Sequence, residues 1–306
     1  MRALFLGSDP WSVPSLQALS HAPQIDLVLV VTRAPRPAGR GSVLTSTAVA
    51  LAARKAGLPL LEVETVRAGA GLTGLREARP DMLVVVAYGE ILPGEVLGVP
   101  TLGAVNLHFS LLPRWRGAAP VQRAILAGDL TTGVTTMLID SGLDTGPILL
   151  QRKEPIRPDD DSGTLGARLA TLGAELLVET LERWAGLTPE PQDGALATSA
   201  PKLGAEERWV DWDDAAEAIV RRVRALAPEP GASARFRGKV LKVLSAETMD
   251  GAGEPGRIVA AGKQGFVVAA GRGAVRPLEV APEGRRRMSG QEFVRGSRPE
   301  PGEKLE

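Results

Sequence analysis

The run Met82-Leu83-Val84-Val85-Val86-Ala87 is apolar at every position, and this most constrains how the chain can fold. A strand with one wet face alternates polar and apolar residues, so an unbroken run belongs to a strand covered on both faces, as in a parallel sheet flanked by helices. Residues 3–6 and 25–32 are further strand candidates, while 13–19 and 45–56 carry helical patterns. Strands alternating with helices predict an α/β fold with a Rossmann-like, mostly parallel sheet. The pattern continues with a strand at 103–107, a helix at 118–126 and a strand at 134–139.

Asp140 to Gly146 is dense in turn-forming residues and predicts a loop before a strand over 147–151. A helix is predicted over 164–184, with Ser162 as its N-cap. From 187 to 207 the chain turns to Thr, Pro, Gln, Asp and Gly, with little to bury, and the domain boundary falls there. A short helix at 214–226 precedes short runs at 233–236, 240–244, 256–260, 265–269 and 275–280 separated by Gly and Pro, a spacing that suggests a small β-barrel. With 306 residues, two domains are expected: 1–187, then a linker over 188–207, then 208–306.

Lys plus Arg and Asp plus Glu are 36 each, so net charge alone excludes nothing. The charges are segregated, however: residues 221–298 hold sixteen Lys or Arg against seven Asp or Glu, which suits the binding of a polyanion. No apolar run approaches the roughly 20 residues a membrane helix needs, and 1–6 is too short for a signal-peptide core, so a cytoplasmic protein is expected. The absence of cysteine excludes disulfides and thiol chemistry, and two histidines are too few for a His-rich metal site. Metal-independent chemistry is the default.

The densest segment for chemistry runs from Asn106 to Pro120, leaving a strand and heading for a helix, where open α/β sheets bind ligands. In extended backbone Asn106 and His108 project from the same face. An amide donor beside an imidazole suits attack of an amine on a formyl carbon: Asn106 can donate to the developing oxyanion, and His108 can polarise the carbonyl or move the proton. Asp144, from a different loop, could hold an imidazolium or an ordered water. The first turn, Gly7-Ser8-Asp9-Pro10-Trp11, lacks the G-x-G-x-x-G spacing of a dinucleotide site.

The stretch N-x-H-x-S-L-L-P-R-x-R-G-A-A-P from Asn106 to Pro120 resembles the formyltransferases that use 10-formyltetrahydrofolate, and R-G-A-A-P-x-Q is similar to the methionyl-tRNA branch of that family. The likeness extends through 85–89, 142–146, the loop 36–41 and Met288 to Glu292. It implies that Asn106, His108 and Asp144 form the catalytic trio, that Ser110, Leu111, Leu112 and Pro113 contact the folate, and that Tyr88, Gly89, Ile91 and Asp140 lie near its pterin. It further implies an OB-like C-terminal barrel that binds tRNA, an acceptor-stem contact by Arg40, and formyl transfer to methionyl initiator tRNA by a monomer. The alternative acceptor within the family is an amino-sugar nucleotide. Three departures are Ser42 to Thr47, where relatives commonly carry lysines and a Pro-Ser-Pro run, Phe109, where many have a small residue, and Ser8-Asp9 in the first turn, where Thr-Pro is common.

Overall fold

The computed structural model describes residues 1–38 and 43–306, so the contact expected of Arg40 lies outside the described residues. The chain gathers into two compact units. The first holds 1–117, 131–155 and 166–200; the second holds 118–130, 156–165 and 201–306. The stretch 188–200 therefore packs with the first unit, and the helix near 120 with the second.

The first unit is built on strands β1 (Arg2–Gly7), β2 (Asp26–Arg33), a separate ribbon of β3 (Arg36–Ala38) and β4 (Val43–Thr45), then β5 (Leu60–Val63), β6 (Met82–Val86), β7 (Ala104–His108), β8 (Thr131–Leu138) and β9 (Ile148–Pro155). Seven of them form one sheet in the order β5-β2-β1-β6-β7-β8-β9. The pairs from β5 to β7 are parallel and the last two antiparallel, so the sheet is mixed and mostly parallel. The apolar run is the central strand β6, buried at every residue. It ends one residue earlier than expected, because Ala87 turns into the left-handed region at φ +43°.

Helices α1 (Val13–His21), α2 (Ala48–Ala56), α3 (Gly69–Ala78) and α4 (Gly94–Leu97) join these strands. The α2 helix starts at 48 rather than 45 because Thr47 caps it, its hydroxyl accepting the Ala50 N–H at 3.0 Å. Neither α3 nor β5 stood out in the sequence: α3 carries three glycines, poor helix formers, and β5 is only four residues long. Trp11 meets the Phe109 ring edge-on at 5.7 Å, so the bulky residue at 109 has an aromatic partner.

Helix α5 is Pro120–Ala127 and α6 is Ser162–Glu182. The N-cap of α6 is Asp161, not the expected Ser162. Ser162 is already helical and its hydroxyl donates to the Ala227 carbonyl at 2.6 Å, while Asp161 caps by accepting the Thr164 N–H at 2.7 Å. The serine could not be told from the aspartate beside it because its tertiary partner lies 65 residues away.

The second unit adds α7 (Ala216–Leu226), β10 (Ala232–Phe236), β11 (Lys239–Met249), β12 (Ile258–Gly262), β13 (Gly265–Ala269), β14 (Ala274–Pro282), β15 (Met288–Ser289) and α8 (Gly290–Ser297). The sheet is antiparallel, ordered β10-β11-β14-β13-β12 with β15 on β14. Trp212, Ile219, Phe236, Phe266 and Phe293 lie in its core. The C-terminal tail bonds to both outer strands: Arg235 and Glu306 exchange backbone hydrogen bonds at 2.6 and 3.0 Å, while Ile258 N–H reaches Glu303 O at 2.8 Å and Leu305 N–H reaches Gly256 O at 2.7 Å. Edges that would otherwise expose unpaired backbone are thereby covered. Among the described residues no helix is long and apolar enough to cross a membrane.

Candidate active site

Strands β6 and β7 are parallel, with Val85 opposite Asn106 and Val86 opposite Leu107, so the segments leaving them emerge at one edge of the sheet. Asn106 and His108 both lie in β7, two residues apart, and both side chains reach Asp144. Strand β8 runs back along β7, placing Leu138 opposite Val105, and a tight loop then carries Asp144 over the pair. That loop needs glycine at 146, where a Cβ would stand 1.8 Å from the Leu138 carbonyl oxygen.

The Asn106 Nδ2 donates to Asp144 Oδ1 at 3.4 Å, and Asp144 Oδ2 accepts the Gly117 N–H at 2.8 Å. Gly117 is at φ +127°, and a Cβ there would stand 2.7 Å from the Ala200 carbonyl oxygen. His108 Nδ1 lies 3.6 Å from Asp144 Oδ2, with the two side chains 7% and 14% exposed, so little water screens them. The other ring nitrogen, Nε2, is 2.8 Å from the Trp115 carbonyl oxygen. A carbonyl only accepts, so Nε2 carries a hydrogen and Nδ1 is the nitrogen left to gain or lose one. A proton gained at Nδ1 would face a carboxylate.

The other expected site residues are placed differently. Ser110 is fully buried and its hydroxyl donates to the Arg114 carbonyl at 2.7 Å, so its side chain shapes the loop. The Leu112 N–H donates to Thr135 Oγ1 at 3.2 Å and the Leu112 carbonyl accepts from Gln151 Nε2 at 2.8 Å. Leu111 and Pro113 are half-buried beside them. Asp140 Oδ1 accepts from Gly142 N–H at 3.0 Å and Thr145 Oγ1 at 2.7 Å, closing its own loop.

Tyr88, Gly89 and Ile91 follow β6 at the edge where β7 delivers Asn106 and His108, with Ile91 exposed and Gly89 at φ +81°. Tyr88 is 2% exposed, and Glu90 lies close to its hydroxyl. Burial, reinforced by nearby Glu90, pushes its pKa up to about 12. Sequence reasoning missed Trp115, Gly117 and Gln192, whose contributions here come through backbone groups or long-range contacts.

The chain belongs to the formyl transferase family: the family's domain matches residues 1–181, and the formyl transferase C-terminal domain matches 202–298. Over 305 residues it is 47% identical to the methionyl-tRNA formyltransferase of Thermus thermophilus, covering 100% of this chain and 99% of that one. The fold is shared with an N-formyltransferase from Helicobacter canadensis solved with folinic acid and dTDP-3-aminofucose, at TM-score 0.67 and 16% identity, over 90% of this chain and 98% of that one. It is shared too with HypX from Aquifex aeolicus in complex with tetrahydrofolic acid, at TM-score 0.65 and 20% identity, over 96% of this chain and 47% of that one.

Proposed function

We propose that this protein transfers the formyl group of 10-formyltetrahydrofolate to the free amino group of methionyl initiator tRNA. The observation that carries the reading is the meeting of Asn106, His108 and Asp144 at the sheet edge of a chain nearly half identical, from end to end, to a methionyl-tRNA formyltransferase. An amine attacking a formyl carbon builds negative charge on the carbonyl oxygen and must shed a proton. An Asn amide has two hydrogens; Asp144 takes one of Asn106's, leaving the other for the oxyanion. His108 is oriented with Nδ1 toward Asp144, where it can take the proton the amine sheds. The folate is read as lying along 110–113 and near Tyr88, Gly89, Ile91 and Asp140, the segments that leave β6, β7 and β8 around the trio.

The second unit is read as an OB-like barrel that binds the tRNA. Support comes from the tail bonded to both outer strands and from the distribution of free cations. Arg237, Arg257, Arg276 and Arg287 are each paired with a glutamate. By contrast, Lys239, Lys242, Arg285 and Arg286 form no salt bridge among the described residues, and they cluster on β11 and the turn after β14, whose backbones are joined from Leu241↔Pro282 onward. Arg40 is assigned the acceptor-stem contact. The reading also includes a cytoplasmic location, where a chain without cysteine needs no oxidising compartment, and action as a monomer, which light scattering tests.

The deciding experiment is single-turnover formyl transfer from 10-formyltetrahydrofolate, with methionyl initiator tRNA, methionyl elongator tRNA and an amino-sugar nucleotide as parallel acceptors. Transfer to initiator tRNA alone is expected. Transfer to the sugar nucleotide with neither tRNA modified would overturn the acceptor and the role of the second unit.

A further inference from the structure

His108 is held on both ring nitrogens by residues in the left-handed region of backbone space. Trp115, at φ +66°, offers its carbonyl to Nε2, and Asp144, at φ +54°, offers its carboxylate to Nδ1. A bulky residue such as Trp115 is strained there unless its surroundings hold it, whereas an aspartate visits the region more readily. One stretch of chain, 192–200, supplies that constraint to both.

Gln192 Nε2 donates to the carbonyl oxygens of Asp144 at 2.9 Å and Gly146 at 2.7 Å. Its Oε1 accepts from Arg116 Nε at 3.0 Å and Nη2 at 2.8 Å. The amide is thus an adapter, with its acceptor end on a guanidinium and its donor end on two carbonyls of the Asp144 loop. Glutamate in its place would turn an acceptor toward those carbonyls. At the other end, Thr198 Oγ1 accepts the Trp115 N–H at 2.8 Å, and the Thr198 carbonyl accepts the Arg116 N–H at 2.8 Å. Ala200 N–H donates to the Arg116 carbonyl at 2.6 Å, so the stretch runs beside 115–116 like a short strand.

We propose that Gln192 and Thr198 are positioning residues for formyl transfer: each pins one of the two left-handed residues that hold the His108 ring, and neither contacts the reacting atoms. The inference rests on reading Asn106, His108 and Asp144 as the trio of that reaction. Composition alone makes 188–207 a linker, whereas these bonds make 192–200 part of the active-site frame.

The test uses the full-length protein with Thr198→Val, which keeps shape but removes the acceptor, Thr198→Ser, which restores it, and Gln192→Met, which keeps length but removes both donors. In each loss variant kcat is expected to fall on the order of tenfold, as misalignment of a catalytic group predicts. KM for the folate and for the tRNA should hold within about twofold, because uniform binding is untouched. Thr198→Ser should recover most of the lost rate. Nitrogen NMR of the imidazoles supplies a readout that a merely structural role would not move: the chain has two histidines, and the His108 resonances should shift while those of His21 stay. Parent-like kcat in Thr198→Val and Gln192→Met, or a fall in kcat with unmoved His108 resonances, would overturn the inference. His108→Ala separates the two levels. If it retains near-normal turnover the reading of the trio fails, whereas if it is inactive and the positioning variants are normal, only the present inference fails.

Discussion

Replacing Asp144 by asparagine isolates the electrostatic part of the site. Asn tolerates the left-handed backbone that residue 144 adopts at φ +54°, and it retains one side-chain oxygen for the Gly117 N–H, so the loop has no reason to move. What disappears is a negative charge 3.6 Å from His108 Nδ1, between side chains 7% and 14% exposed. At that separation two unit charges attract by about 4–5 kcal/mol in an effective dielectric of about 20. If between half and all of this is realised when the imidazole is charged in the transition state, the loss is about 2–5 kcal/mol, or roughly 30-fold to 5,000-fold in rate. The new amide also turns its NH2 toward the Asn106 NH2, so two donors face each other and the oxyanion donor is less well aimed. Single-turnover formyl transfer at saturating folate and tRNA measures the effect, with tRNA affinity followed separately and expected to stay within a few-fold of the parent. A transfer rate within about threefold of the parent, in a variant that melts normally, would refute the electrostatic reasoning and leave Asp144 as a loop former.

Tyr88 is the sole tyrosine, so the phenolate difference spectrum reports it alone, with an expected midpoint of about 12. Because the folded pKa lies above the ordinary value of about 10, its contribution to stability is whole below pH about 10 and is lost as pH rises toward 12; a folded-state midpoint at 10 would contradict the burial of its hydroxyl. Gly117→Ala places a methyl against the Ala200 carbonyl at φ +127°, and is expected to lower stability by about 1–3 kcal/mol in thermal melts and to displace the donor to Asp144, cutting kcat as well. Replacing Lys242, Arg285 and Arg286 together with glutamine should weaken tRNA binding and flatten its dependence on salt, the slope falling by up to about one for each phosphate no longer neutralised, with folate binding unchanged. A salt slope equal to the parent's would place the tRNA elsewhere on the protein.

Much of this protein is local and therefore legible in the sequence. The uninterrupted 82–87 run marks a strand covered on both faces, and it is the centre of the sheet. The two-residue strand period alone puts Asn106 and His108 on one face, as β7 does. Turn chemistry at 140–146 and the segregated charge after 221 are likewise properties of neighbouring residues. Tertiary structure decided what depends on distant parts of the chain meeting. It brought Asp144 to a histidine 36 positions earlier in the chain, gave the Ser162 hydroxyl a partner 65 residues away and so left capping to Asp161, and laid the C-terminal tail across both outer strands. It also laid 192–200, part of the expected linker, beside Asp144 and residues 115–116, with Thr198 reaching back 83 residues to Trp115. Such bonds follow from where the backbone donors and acceptors of folded loops are left unpaired, and no periodicity in the sequence records those positions.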